Sequence, residues 1–379
     1  MNVLYILNNR FPTIKAHGLQ VAKTCESFQK NGAEVELIIP IRNSQKEIRG
    51  ISIEKLYGIK TPFKIRRLPS FDFAGMYLNS RFLFLLQQVV FAIVASISIV
   101  GKKGIVYSRD PFTLYVLSFF RKDIFWEIHR MPENIQSRVY RRLLPRLSGM
   151  IAISNGLKKS LSTHIDPSKI IVAHDGFDPE QFVGLPDRST LRSKLGLPQD
   201  KTIVMYVGHL FEWKGADTFV AAVQHLPETI LSVVGGGTKD DVAQLQQQDI
   251  SGKVRFEGFI PFQMLPEYLA AADLLVLPNK KDGGVSEFYT SPLKLFAYMA
   301  SGKAIIASDL PSLKEVLNDT NALFFKPNDP ESLKQHILVL AGDAGKMQQL
   351  GVKAQADVAK YSWAHRGKEI LSFISSTIL

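Results

Sequence analysis

The chain has a single cysteine, Cys25, so no internal disulfide framework is available to it, and one thiol cannot build a zinc site. Metal-ligand spacing is missing more generally: there is no HxxxH, and no DxD pair follows an expected strand. The glycine run Gly235-Gly236-Gly237 lacks GxGxxG spacing, which excludes a dinucleotide fingerprint. A charged-then-apolar leader is also missing, because "MNVLYILNNR" runs directly into an apolar strand; the expectation is cytoplasmic residence. Neither a repeat of fixed period nor a low-complexity tract is present. Acidic residues are scarce in one half only. Residues 1–180 hold 26 Lys/Arg against 14 Asp/Glu, a net of +12, while residues 181–379 hold 20 against 21, a net of −1. A basic half beside a neutral one suggests an anionic partner for the first half, a membrane surface, a phosphorylated lipid or nucleic acid, with solubility alone as the plainer reading.

What is present is enough apolar residue, 46% of 379, for two packed domains of roughly 180 residues each. The first half alternates short apolar runs with amphipathic stretches in βαβ order: "NVLYIL", "EVELIIP", "GIVYSRD", "DIFWEIH", "MIAIS" and "KIIVAHDGFD" read as strands. An irregular basic segment interrupts them. The second half restarts the pattern with "KTIVMYVGHL", "TILSVVGGG", "VRFEGFI" and "DLLVLPN". Between the halves, "DPEQFVGLPDRSTLRSKLGLPQD" is rich in Pro, Asp and Gly and reads as a loose linker.

The one long apolar run, residues 82–100, approaches the ~20 residues that span a bilayer. Gln87, Gln88, Ser96 and Ser98 dilute it, and it feeds directly into the next strand, so a buried or interfacially seated helix is expected. Downstream, Arg138, Arg141, Arg142 and Arg146 recur at helical spacing, with Pro145 ending or kinking the helix; with the charge of this half they suit an anionic surface.

In open parallel sheets ligands bind beyond the carboxyl ends of strands. Arg109, Asp110, His129 and Asp175 fall at such ends. So does "SPLKLFAYMASGK", where Ser291 is placed to cap a helix, Pro292 and Leu293 open it, and Gly302 ends it. That helix mouth, with Lys294 in its first turn, suits a phosphate. In "YVGHLFEWKGAD" His209 and Lys214 project from a strand-to-helix loop, and with Lys294 they form a candidate diphosphate clamp. Gly236, in the third loop, lets a ligand approach the backbone.

Taken together, "NNRFPTIKAHGLQVAK", "YSRDP", "EIHRMPEN", "VAHDGFDPEQF", "YVGHLFEWKGADTFVAA", "VVGGG", "DLLVLPN", "SPLKLFAYMASGKAIIASDLPSLKEVL" and "YSWAHRGKEILSFI" resemble glycosyltransferase family 4, retaining sugar-nucleotide transferases, over nearly the whole chain. The resemblance implies the GT-B fold, an α/β architecture of two doubly wound Rossmann-like domains facing a cleft. It places an acceptor-binding domain at 1–180, a nucleotide-sugar domain at 181–360, and a helix at 361–379 crossing back to the first. It implies a UDP- or GDP-sugar donor and no cofactor beyond it. The acceptor is lipid-linked or glycan, met by a first domain that sits peripherally at the inner face of the membrane, with Arg109, Arg138, Arg141 and Arg142 turned toward acceptor or membrane. Lys214 matches the lysine that contacts the donor diphosphate, His209 stands where many members have arginine, Gly18 matches a flexible loop covering the donor, and His129 matches a histidine beside the transferred sugar. Gly236, Ser291, Leu293 and Lys294 complete the donor set.

The departure is at two acidic positions. Family members often carry two glutamates with seven residues between them; here they align with Tyr289 and Ala297. Glu287 replaces the first only if its loop bends. Losing the second removes an acceptor for ribose hydroxyls worth roughly 1.5–3 kcal/mol. Ala297 is read as a substitution that weakens turnover, as a natural variant holding the ribose another way, or as the mark of a degenerate enzyme, with the first preferred. Rival functions are a sugar-nucleotide 2-epimerase, which needs paired carboxylates scarce around 287–297, and a non-catalytic partner subunit that binds nucleotide sugar. Nucleic acid is not expected as a partner, since the basic residues are not interleaved with aromatic platforms.

Overall fold

Strands buried on both faces require continuous Val, Ile and Leu, and parallel sheets covered by helices bury both faces. The computed structural model, which describes residues 1–43, 48–72 and 81–378, realises that pattern twice. Residues 44–47 and 73–80, part of the irregular basic segment, lie outside the described residues. The chain divides into two units, Met1–His174 with Trp363–Leu379, and Asp175–Ser362.

In the first unit seven strands form one sheet: β1 (Asn2–Ile6), β2 (Glu34–Pro40), β3 (Lys64–Leu68), β4 (Ile105–Ser108), β5 (Ile124–Ile128), β6 (Gly149–Ala152) and β7 (Ile170–Val172). Their spatial order is β3-β2-β1-β4-β5-β6-β7, with parallel pairing. The order reverses between β1 and β4, so a crevice opens beyond their carboxyl ends. The helix Trp363–Ile378 packs against the helix Ala16–Lys30 of the same unit. Gly367 permits that approach, since a Cβ there would lie 2.5 Å from the Ser27 hydroxyl.

The second unit holds β8 (Thr202–Val207), β9 (Ile230–Gly235), β10 (Val254–Gly258), β11 (Leu274–Leu277), β12 (Ala304–Ser308) and β13 (Leu323–Phe325), ordered β10-β9-β8-β11-β12-β13. Here the switch point lies between β8 and β11. The presumed linker is a correction: it carries the helix Arg188–Leu195, capped by the Asp187 carboxylate and closed by Gly196 at φ +62°. Leu191 and Arg192 are buried, and the Arg192 guanidinium bonds the carbonyls of Ala271 and Lys201 and the Asp273 carboxylate. A Pro/Gly/Asp-rich composition here supplies caps and turns for a packed helix.

The apolar run forms the helix Arg81–Ser98, and no described helix is long and apolar enough to cross a membrane. Its outward face is apolar as well as its inward one. Gln87, Gln88, Phe91, Ala92, Ala95 and Ser96 are buried, while Phe82, Leu85, Val89, Ile93 and Ile97, three or four residues apart, face outward. The helix Arg138–Leu143 passes into a tight 3₁₀ turn at Leu144–Arg146, where Pro145 removes the N–H an α-helix would need.

Candidate functional site

Beyond β8 the chain turns through Gly208–Gly215 before entering the helix Ala216–Val223. Gly215 makes this possible. It holds φ +73°, and a Cβ would come within 1.7 Å of the Pro278 carbonyl, so the loop lies directly on the segment leaving β11. The Trp213 carbonyl accepts from the Lys280 N–H (3.0 Å) and the Ser286 hydroxyl (3.3 Å), fixing the same contact. Gly236, at φ +112°, lies where a Cβ would be 2.0 Å from the Gly208 carbonyl, bringing the third loop against the first.

The helix Leu293–Ala300 is anchored to the end of β8 by Tyr298, whose hydroxyl accepts from the Val207 N–H (2.7 Å) and donates to its carbonyl (3.1 Å). Its start differs from expectation. Pro292 occupies the cap position and no side chain caps the helix, because the Ser291 hydroxyl is used elsewhere, accepting from the Asp175 N–H at 2.9 Å. The first-turn N–H groups are thus left without a side-chain cap. Gly302 follows the helix at φ +69°, as its sequence position requires.

Two amines meet at this mouth. The Lys214 Nζ lies 3.7 Å from the centroid of the Trp213 ring, and the Lys294 Nζ 4.0 Å from that of Tyr206. The Lys294 Nζ is buried without a hydrogen-bond partner among the described residues. Burial pulls the Lys214 amine down to about 7, with Asp175 opposing. Burial, and then Lys214 itself, pulls Lys294 well below the ordinary lysine range. Two adjacent buried amines at a helix N-terminus form a site suited to an anion.

The other expected donor residues are placed less uniformly. His209 stacks on Phe211, with ring centroids 5.2 Å apart, and its carbonyl accepts from the Tyr206 hydroxyl. Leu293 opens the helix, and Ala297 is buried in the core on its second turn. Glu287 is buried too, accepting from the Gly283 N–H (3.1 Å) with the Lys281 Nζ at 3.8 Å, so its carboxylate is spent on its own turn. Among the described residues no group of three or more His, Cys, Asp and Glu could hold a metal ion.

In the first unit, His129 stands just past β5 with its Nε2 2.5 Å from a Glu127 oxygen. Burial, then Arg109 and Arg366, lower this imidazole to about 4, with Glu127 opposing. Arg109 belongs to the same cluster through its bond to Gln20 (2.8 Å), which separates it from Arg138, Arg141 and Arg142 on the exposed face of their helix. Gly18 corrects the sequence reading: it lies in the first turn of the helix Ala16–Lys30 and not in a loop, and a Cβ would meet the Tyr57 hydroxyl at 2.4 Å and the Thr13 side chain at 2.7 Å. Close packing, not mobility, is what needs glycine there. Sequence reasoning passed over Glu127, although it lies two residues before His129 and so on the same face of its strand.

Residues 201–343 match the family described as glycosyl transferases group 1. The match lies wholly within the second unit and spans the loops bearing Lys214, Gly236 and Lys294. Curated relatives of the chain include an uncharacterised glycosyltransferase of Methanocaldococcus jannaschii, 26% identical over 58% of this chain and 56% of that protein. Another is a GDP-mannose-dependent monoacylated alpha-(1-6)-phosphatidylinositol monomannoside mannosyltransferase of Corynebacterium glutamicum, 25% identical over 53% and 55%. The chain spans about half the length of the curated relatives it matches. Among solved structures, Anabaena HepE in complex with UDP aligns at TM-score 0.76 with 18% identity over 99% of this chain and 100% of that one. Sucrose-phosphate synthase of Thermosynechococcus elongatus aligns at 0.77 with 18% identity over 100% and 99%. The matched region thus sits in a chain with the two-sheet GT-B fold.

Proposed function

We propose that the protein is a retaining glycosyltransferase of family 4, moving a sugar from a UDP- or GDP-sugar to a lipid-linked, glycan or other cell-envelope acceptor, with no metal or other cofactor. The observation that carries this reading is the pair of buried amines, Lys214 and Lys294, at the uncapped mouth of the helix Leu293–Ala300. A diphosphate would give the Lys294 amine its missing acceptor and offset the repulsion between the two cations. HepE with UDP or UDP-glucose, and the GDP-mannose-dependent relative, support a donor of this class.

In the proposed step the bond between the anomeric carbon and the diphosphate oxygen breaks. The acceptor hydroxyl forms its bond to that carbon from the same face, and its proton passes to the leaving diphosphate oxygen. Lys214, Lys294 and the helix N–H groups stabilise the charge that develops on the leaving group. His129 is assigned to the transferred sugar. Among the remaining expected donor residues, Gly236 admits the nucleotide to the backbone, and His209 and Ser291 border the site.

For the acceptor, the reading rests on the first unit. It carries 28 Lys/Arg against 12 Asp/Glu, a net of +16, while the second carries 18 against 23, a net of −5. The outward apolar row of the helix Arg81–Ser98, with Phe82 72% and Ile97 67% exposed, suits peripheral seating in the interface of an anionic bilayer. A non-catalytic nucleotide-sugar-binding subunit is the second reading, and the absence of a carboxylate at position 297 favours it.

Calorimetric titration with UDP, GDP and their sugar conjugates, alongside turnover assays, tests the assignment. One nucleotide series is expected to bind. Lys214→Ala is expected to lower turnover by about 100-fold or more with an unchanged circular dichroism spectrum. Ala297→Glu is expected to tighten donor binding by about 10- to 150-fold. If no variant binds any nucleotide, the transferase assignment falls; if all bind but none turns over, the subunit reading replaces it.

A further inference from the structure

The Glu127 carboxylate is fully buried at the end of β5 and is gripped from four directions. Gln20, from the helix Ala16–Lys30, and Tyr107, from β4, both donate hydrogen bonds to it. The Arg366 guanidinium, from the helix Trp363–Ile378, forms an ion pair with it at 3.2 Å, and the His129 Nε2 lies at 2.5 Å. Arg366 is itself fixed, donating to the His174 carbonyl (3.0 Å) and the Thr24 hydroxyl (3.1 Å). Despite burial, which acts to raise it, Arg366, His129 and Arg109 hold the Glu127 carboxyl well below the usual carboxylate range. The other ionisable groups facing it, Tyr5, Tyr107 and Cys25, are all pushed upward by burial and so stay neutral.

An anionic carboxylate can only accept, so the nitrogen facing it must carry a proton. We infer that Glu127 is a positioning residue, holding His129 as the neutral Nε2–H tautomer and leaving Nδ1 bare as the acceptor offered to a substrate hydroxyl. The imidazole is 19% exposed while its Nε2 is taken by Glu127, so Nδ1 is the nitrogen available to a ligand. Arg366 supplies the charge that keeps Glu127 anionic, which makes the helix Trp363–Ile378 part of the apparatus that orients the histidine. The functional half of the inference rests on the proposed role of His129 at the sugar; the tautomer does not.

Long-range proton–nitrogen correlation spectra of the ¹⁵N-histidine-labelled protein read the tautomer directly, with His129→Ala assigning the signal. A single Nε2–H tautomer at pH 7 is expected in the natural chain, a measurement that requires no folded variant. Glu127→Gln is expected to yield a mixture of tautomers and to lower kcat by about 10- to 100-fold with KM for the donor unchanged. A dominant Nδ1–H tautomer in the natural chain overturns the inference, as does a Glu127→Gln protein with one unchanged tautomer and full kcat. Full turnover by His129→Ala, with the Nε2–H tautomer observed, overturns the role of His129 at the sugar and leaves the orientation by Glu127 standing.

Discussion

At the scale of single residues, Lys214 and Lys294 are costly to keep. Each amine loses hydration, and neither faces a carboxylate within salt-bridge distance among the described residues. An anion arriving between them raises both back toward ordinary lysine values, so donor binding takes up protons. The sign is set by the free protein: affinity for a sugar nucleotide is greatest below about pH 7, where Lys214 is already protonated, and falls as pH rises above that value. The decline approaches about tenfold per pH unit for each proton taken up. Calorimetry with UDP-glucose or GDP-mannose from pH 6.5 to 9, repeated in buffers of different ionisation enthalpy, measures this, and a pH-independent affinity would contradict it. Both lysines were legible in the sequence because a strand end followed by a helix start is a local pattern. Glu127 and Arg366 form a contact across 239 positions of chain, and no local spacing announces such a pair. Ala297 is a different case, since what the sequence lacks there is visible only against a family pattern.

Among elements, the loop Gly208–Gly215 and the helix Leu293–Ala300 are rigidly placed, one by the close approach of Gly215 to Pro278 and the other by Tyr298 on Val207. Gly215→Ala therefore faces both a strained left-handed backbone and a collision. It is expected to lower stability by about 1–3 kcal/mol and to abolish donor binding as the Lys214 loop moves. Gly252→Ala is the control, having φ +65° but nothing within 4 Å; it should carry the strain alone and keep the donor. Denaturant midpoints together with donor titration separate the two, and equal donor affinity in both variants would refute the role given to the loop. Alternating strands and helices were readable from periodicity, since continuous apolar runs and amphipathic stretches differ in spacing. The helix Arg188–Leu195 was not, because its eight residues carry a single leucine turn and its stability comes from the buried Arg192 bonds to distant carbonyls. The start of the helix Leu293–Ala300 was misjudged for a related reason: a serine oxygen at a cap position has other donors to accept from, and Ser291 accepts from the Asp175 N–H.

For the molecule as a whole, dividing the charge by unit sharpens the asymmetry seen in the sequence, from +12 and −1 for the halves to +16 and −5 for the units. Phosphatidylglycerol vesicles should bind the protein at low ionic strength, neutral phosphatidylcholine vesicles far less, and high salt should release it. Ile93→Glu with Ile97→Glu removes two outward apolar side chains and should weaken vesicle partition by about tenfold or more without changing donor affinity. Sedimentation with vesicles decides this; equal partition of the natural and doubly substituted proteins would remove the helix Arg81–Ser98 from the contact. The apolar content of that helix was plain in the sequence, but its outward apolar row was not, because which face packs inward depends on its neighbours. One further consequence follows from the return of the helix Trp363–Ile378 to the first unit. A ribosome completes β1 to β7 long before it makes residue 366, and until then the buried Glu127 lacks the guanidinium that does most to hold its charge, with Arg109 and His129 left to share it. The first-made sheet therefore gains its full set of charge partners only after the whole of the second unit has been synthesised.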